Sequence, residues 1–422
     1  MKVVEWRREF HRYPEIGFTE FFTASKVIET LRSLGFSVLY GQDAMDGAAR
    51  FGVPAKEILE KAYHQAMKRG ANPALLESMK GGYTAVVGIL QGKESGPTLA
   101  YRFELDALPI EESQSTDHLP HRFEFRSRLK GQMHACGHDA HLAIGLGVAE
   151  KIADRNFAGT IKLIFQPAEE GVRGARSMIE KGIVDDVDLI ICQHIGMGVP
   201  TGQIQGGVEG FLATTKLEVT FLGEPAHAGA APEKGKNALL GATTAFFNIQ
   251  SLGQHSGGKA RINVGVLEGG TAANIIPATA RMVIETRADQ QEVNQELVER
   301  VYQIIASSAM MHRLEYSIEI IGEATTFQCD EELVSLVLEE AEHIEGFTSL
   351  QKSSVTAEGS EDASLLIRRV QERGGYGTYC IIGSDLAAPH HHAHFDIHEE
   401  VLPHAVQLLE RIARRDWEIA HF

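Results

Sequence analysis

Short apolar runs of strand character alternate along this chain with segments of helical period, and that alternation restricts the fold more than any other feature. Thr84–Leu90, Pro97–Leu105, Gly159–Phe165 and Val187–Cys192 read as strands. Helical spacing marks the start of the chain up to Pro14, the run from Phe22 to Leu34, residues 54–69, a segment opening near Asp139, and Val172–Ile179. Strands interleaved with helices imply an α/β sheet covered by helices on both faces.

Around Gly206-Gly207 the pattern changes. Thr214–Phe221, Arg261–Val266 and Ala280–Thr286 alternate with period two, a helical run covers 238–252, a longer one covers 293–311, and Tyr316–Ile320 closes the set. The order strand, helix, strand, strand, helix, strand is that of a compact ferredoxin-like α+β domain. After Asp330 the α/β pattern resumes, with helices to about Glu345 and over 362–370, a strand at Thr378–Ile382 and a closing helix from Pro403 to Glu418. We expect one α/β domain of residues 1–208 and 323–422, carrying an inserted lid or dimerisation domain at 209–322. At 422 residues the chain has room for both.

Charge and cysteine use exclude several partners. Forty basic and 57 acidic residues give a net charge of −17, which opposes nucleic acid and anionic membrane surfaces. No apolar stretch has the length of a membrane span, and the first residues lack the apolar core of a signal peptide. Cys136, Cys192, Cys329 and Cys380 form no CxxC pair and no disulfide framework. These features predict a cytoplasmic protein.

The 19 histidines are the unusual count. Met133-His-Ala-Cys136-Gly-His138-Asp139-Ala-His141 packs a cysteine, three histidines and an aspartate ahead of a helix, and Cys and His are standard ligands for zinc and related ions. Asp139 can orient a ligating histidine or cap the helix. Gln166-Pro-Ala-Glu169-Glu170-Gly171 places two carboxylates at the end of a strand; one could hold metal and the other address a bound water, or both could be solvated acids at a helix start. Cys192-Gln-His194-Ile195 follows another strand, and His390-His391-His392-Ala-His394 lies after the last one. Singly, His194 reads as a structural histidine, and a surface cluster is the alternative for the His run. Together they fall where an open α/β sheet gathers its site, and their number suits two ions sharing a ligand. The glycines at 145 and 147 begin like a dinucleotide fingerprint but lie inside a helical pattern, and no phosphate-binding loop or nucleophile elbow is present. The basic stretch 122–130 reads as a surface loop. In the inserted domain, His227, Asn274 and Arg287 stand at turns and strand ends, where they could bind an acyl oxygen and a carboxylate or be ordinary turn residues.

These motifs, with WRREFHRYPEIGFTEF at 6–21, LDALPI at 105–110, GSEDAS at 359–364 and HHHAHFDIHEEVL at 390–402, resemble the metallopeptidase and amidohydrolase family of aminoacylases, hippurate hydrolases and indole-acetyl-amino-acid hydrolases. The resemblance implies two divalent ions, Mn or Zn, in each subunit. It implies Cys136 as their shared ligand, completed by His138, Glu170, His194 and His391, with Glu169 as general acid/base. His391 is selected by its place four residues before Phe395. His134, Asp106, Asp139, Glu361 and Asp362 would support these groups. His227 would act across a homodimer formed by the inserted domain, and Asn274 and Arg287 would line the substrate site. The implied reaction is cleavage of p-aminobenzoyl-glutamate. An N-acyl-amino-acid, hippurate-type or dipeptide hydrolase is the alternative enzyme, and a non-catalytic partner subunit the alternative role. A related B subunit in a hetero-oligomer is a further implied partner.

Overall fold

In a computed structural model, which describes residues 2–252, 255–353 and 359–417, the apolar runs become strands of two separate sheets. The chain begins with α1 (Lys2–Arg12), α2 (Phe21–Ser33), β1 (Ser37–Tyr40), α3 (Lys56–Lys68) and α4 (Pro73–Met79). It continues through β2 (Val86–Gln91), β3 (Glu94–Glu104), α5 (Leu119–Arg122), α6 (His138–Ile152), β4 (Ala158–Gln166), α7 (Ala175–Glu180), β5 (Leu189–Ile195) and β6 (Gln203–Gln205). Next come β7 (Ala213–Leu222), α8 (Ala238–Gln250), β8 (Ala260–Gly269), β9 (Thr279–Ala288), α9 (Gln291–Met311) and β10 (Glu315–Ala324). The last elements are α10 (Glu331–Ala341), β11 (Ser349–Gln351), α11 (Ala363–Glu372), β12 (Tyr376–Ile382) and α12 (Val401–Ala413). Glu418, the expected end of the closing helix, lies outside the described residues.

The chain divides into Met1–Glu209, Phe327–Thr356 and Asp362–Phe422 as one unit and Gly210–Thr326 with Ala357–Glu361 as the other. The first contains the sheet β1-β2-β4-β3-β5-β12-β6-β11. Its centre is parallel, β4-β3-β5-β12, and its β1-β2-β4 side is antiparallel. Four apolar runs seen in the sequence thus lie beside one another, with β12 next to β5. In α6 every residue but Glu150 and Lys151 is buried, as an all-round apolar helix requires. It packs on β3 between α1 and α12, while α11 covers β5 and β12.

The second unit forms a four-stranded antiparallel sheet in the order β10-β7-β9-β8, the ferredoxin-like arrangement. Leu217, Val219, Phe221, Met282 and Ile284 meet Ala242, Ala245 and Ile249 of α8 and Leu297, Val301 and Ile305 of α9 in a core of its own. Asn237 caps α8 by accepting the Leu240 amide at 3.0 Å.

Three short strands and two helices, α4 and the four-residue α5, escape the sequence pattern. β1, β6 and β11 are too short for periodicity to register, and α4 opens at Asn72-Pro73, a pair that reads in the sequence as the end of α3; here Asn72 caps the new helix. The helix expected from Val172 begins instead at Ala175, because Val172 has a φ of +60° and belongs to a turn. Gly145 and Gly147 have a packing role. A Cβ at 145 would stand 2.7 Å from Phe103, and one at 147 would stand 2.6 Å from Val406 of α12. Relieving a mid-helix glycine is worth about 0.5–1 kcal/mol, less than the roughly 1–3 kcal/mol that overpacking typically costs. Gly145→Val is therefore expected to destabilise the chain by about 1–3 kcal/mol, read as a lower urea midpoint with an unchanged slope.

Candidate metal centre

Asp106, just past β3, organises the turn that follows β4. Its Oδ1 accepts the Glu169 amide at 3.1 Å and its Oδ2 the Glu170 amide at 3.0 Å. Its carbonyl accepts the His138 Nδ1 proton at 2.8 Å, which leaves His138 Nε2 as a lone-pair donor. The two glutamates do not leave the strand in extended backbone, the geometry that their adjacency suggests. Ala168, Gly171 and Val172 have φ of +51°, +91° and +60°, and this turn brings both carboxylates to the same side. Donor atoms of His138, Glu169 and Glu170 lie within 4.8 Å of one another.

Left-handed residues also shape the neighbouring turns. Gly137 (φ +90°) precedes α6, and a Cβ there would meet Ile195 at 2.7 Å. His194 lies on β5 just before Gly196 and Met197, both at positive φ. His194 Nδ1 donates to the Ile195 carbonyl at 2.8 Å, so its Nε2 faces Cys136 Sγ at 3.5 Å. His391 has φ +63°, a conformation rare outside glycine, and its amide donates to the Ala135 carbonyl at 2.8 Å.

Two groups result. Cys136, His138 and His194 offer donors within 4.8 Å of one another, and so do Cys136, Glu170 and His391. Cys136 is common to both. The four clustered histidines are thereby separated: His391 Nε2 lies 3.4 Å from Glu170 Oε1, whereas His390 meets His194 edge to face and accepts the Met197 amide. His392 accepts the His394 amide, and His394 stacks on His118. Glu169, with 12% side-chain exposure, has Oε2 3.8 Å from His138 Nε2.

The donor set fits cations. His138 Nε2 and Glu170 Oε1 are buried without hydrogen-bond partners, a costly state for polar atoms unless something else binds them. The surroundings also favour positive charge. Cys136 and Glu170 beside it raise His391 to about 10, and although burial opposes this, Asp106 and Cys136 raise His138 well above its usual value. Cys, His and carboxylate donors suit a dinuclear divalent site.

Residues that the motifs do not single out hold this centre. His141 donates from Nδ1 to Glu104 at 2.6 Å and accepts the Ile195 amide at 3.1 Å, fixing the segment that carries His194. Glu104 pairs with buried Arg102, which also donates to Gln166 and to Asp362. Asp362 in turn accepts the Gly174 and Ala175 amides at the start of α7. An arginine and a glutamate within a buried strand were the available signal. His134 is buried with neither ring nitrogen hydrogen-bonded, and burial lowers its pKa to about 3. Asp139 neither caps α6 nor touches His138; it accepts from Arg7 and His11 at 2.8 Å.

His227, Asn274, Arg287 and Glu361 belong to the second unit. His227 and Asn274 are exposed neighbours: the Ala228 amide donates to the Asn274 carbonyl, and His227 bridges Ile275. Arg287 donates to Glu285 at 2.9 Å. The basic stretch contributes Arg122, Arg126, Arg128 and Lys130 to a cavity of about 960 Å³ that none of the metal-capable residues line.

The buried pair beneath α6 gives a pH dependence. Burial alone would lower the His11 pKa, but Glu112 and Asp139 outweigh it and raise the group from 6.5 to about 9. Its contribution to stability is full below about 6.5 and lost as pH rises through 9. Glu112 is depressed from 4.5 to about 2 because His11 overcomes its desolvation, so its contribution is lost as pH falls through 2. The urea midpoint should therefore decline between about pH 6.5 and 9, and His11→Gln should flatten that limb.

A family model described as Peptidase family M20/M25/M40 matches residues 100–415. The chain is 42% identical to an indole-3-acetyl-aspartic acid hydrolase of Enterobacter agglomerans, over 97% of this chain and 94% of that one. It is 41% identical to the A subunit of p-aminobenzoyl-glutamate hydrolase from Escherichia coli K12, over 98% and 95%. A crystal structure of an aminobenzoyl-glutamate utilization protein from Klebsiella pneumoniae superposes with a TM-score of 0.85 at 38% identity, over 97% of this chain and 94% of that one. With its paired clusters of metal donors, the chain belongs to the M20/M25/M40 peptidase family as a metal-dependent amide hydrolase.

Proposed function

We propose that the protein hydrolyses the amide of p-aminobenzoyl-glutamate, releasing p-aminobenzoate and glutamate. The observation that carries this reading is the pair of donor groups sharing Cys136, with Glu169 beside them. Similarity to a subunit of p-aminobenzoyl-glutamate hydrolase supports the substrate. Cys136, His138, His194, Glu170 and His391 would hold two ions, with Cys favouring Zn and the remaining donors accepting Zn or Mn. The bound ions would lower the pKa of a water and polarise the substrate carbonyl. Glu169 would take a proton from the attacking water at its carboxylate as the water oxygen adds to the carbonyl carbon, and would return it to the leaving nitrogen as the C–N bond breaks. His227 donates a hydrogen bond to the scissile carbonyl across the dimer, and Asn274 and Arg287 line the substrate site. Similarity to the indole-3-acetyl-aspartic acid hydrolase favours a second reading, an aromatic acyl group on aspartate.

A homodimer through the second unit is supported by Leu240 and Phe247 of α8, which are 50% and 74% exposed, and by β8 at the sheet edge. A related B subunit is the other partner we place there. A cytoplasmic location is supported by four free cysteines; among the described residues no helix is long and apolar enough to cross a membrane.

Removing the base is expected to cost roughly 10²–10⁴-fold in rate. Glu169→Gln should therefore retain its metal, measured by elemental analysis, while release of p-aminobenzoate falls by that factor. His227→Ala should also be impaired. Refolding the two variants together should restore activity, because a mixed dimer contains one site with both groups intact. Absence of restoration would place His227 outside the partner's site.

A further inference from the structure

The segment between β1 and α3 holds a guanidinium that, among the described residues, pairs with no carboxylate. Arg50 stacks on the Tyr83 ring at 3.7 Å and donates from Nη1 to the Gly81 carbonyl at 2.6 Å. Its Nε is buried without a partner, and among the described residues Nη2 has none. Burial lowers its pKa, and among the described residues the only ionisable group acting against that is the Tyr83 phenol. Several other guanidiniums in this unit are answered by acids, Arg7 by Asp139, Arg102 by Asp362, Arg126 by Glu111 and Arg369 by Asp185, whereas Arg155 and Arg173 donate to backbone carbonyls; Arg50 differs from these in its buried, unpartnered Nε. In a chain of net charge −17, a half-buried cation left without an anion is conspicuous, because an uncompensated charge is costly to desolvate.

This segment is tied to the metal centre from two sides. Arg173 donates from Nη1 to the Gly52 carbonyl at 3.0 Å and from Nε to the Glu170 carbonyl at 2.9 Å. A single side chain thus links the backbone beside Arg50 to that of Glu170. Arg50 is two residues from that link, at most about 7 Å of chain. On the other side, Thr84, next to Tyr83, donates to Glu20, and Glu20 accepts the Ala168 amide at 2.9 Å. Arg287 is already engaged by Glu285, so its charge has a partner before substrate arrives.

We infer that Arg50 is a specificity residue that binds the side-chain carboxylate of an acidic leaving amino acid. A planar guanidinium with free N–H groups suits a carboxylate, and a bound dianionic amino acid would supply the missing countercharge. This rests on the amide-hydrolase reading with an acidic leaving amino acid and adds to it the residue that reads the acidic side chain.

The test uses the full, metal-loaded chain and p-aminobenzoyl conjugates of glutamate, aspartate, glutamine and alanine. The wild-type chain should prefer the two acidic conjugates. Arg50→Ala should lower kcat/KM on these roughly ten- to hundredfold, mainly through KM, and by at least tenfold more than on glutamine and alanine conjugates. Arg50→Lys should recover part of the loss, and Arg50→Gln replaces Arg50→Ala should the latter not fold. Equal losses on all four, or no wild-type preference for acids, would overturn the inference and leave the hydrolase reading intact. Calorimetric binding of free glutamate against glutamine needs no turnover and therefore separates the two. A wild-type preference for glutamate that survives Arg50→Ala would overturn the role of Arg50 even if no conjugate were cleaved.

Discussion

One carboxylate, that of Asp106, positions the turn on which the site depends. It accepts two consecutive amides, those of Glu169 and Glu170, and the same residue's carbonyl orients His138. The surrounding groups have to accommodate its charge. Burial pushes Glu20 up to about 8 and the nearby Asp106 adds to it, while Asp106 itself is held below its usual range despite burial, by His138 foremost. Burial and the Asp106 charge favour the proton on Glu20, whereas His138 and the glutamate-turn amides favour the charge on Asp106. The amides of the glutamate turn thus point at an anion, and the glutamate side chains are directed away from it towards His138 and Cys136.

Two further networks carry the same logic outward. Arg102, Glu104 and His141 run from the middle of the sheet to the amide of Ile195, and Asp362 extends the chain of bonds to the start of α7. Arg7 joins Asp139 on α6 to Asp396 and Glu399 in the closing segment. Both arginines are fully buried. Buried ion pairs of this type add little net stability, but removal of one partner is expensive. Their effect here is to fix geometry between segments far apart in sequence, as a site assembled from four turns requires.

Much of this is legible in the amino-acid sequence alone. The period-two and period-3.6 patterns locate the long strands and helices, and the order of elements from Thr214 to Ile320 specifies the ferredoxin-like sheet. The cysteine, histidines and glutamates at run ends announce the site. What escapes has identifiable causes. β1, β6 and β11 contain three or four residues, too few for a period. The turn at Ala168–Val172 depends on non-glycine residues at positive φ, which composition does not reveal. His391 cannot be told from His390, His392 and His394 by residue type; it is distinguished by its approach to Glu170. Arg50 gives no signal, because its interest lies in what is absent around it.

The two donor groups meet at Cys136, which would be shared by two cations. Anomalous diffraction from crystals grown with manganese or zinc tests it directly. Two peaks about 3.5–4 Å apart are expected, with Cys136 Sγ between them, one beside His138 and His194 and the other beside Glu170 and His391. A single peak, or two that do not share Cys136, would contradict it.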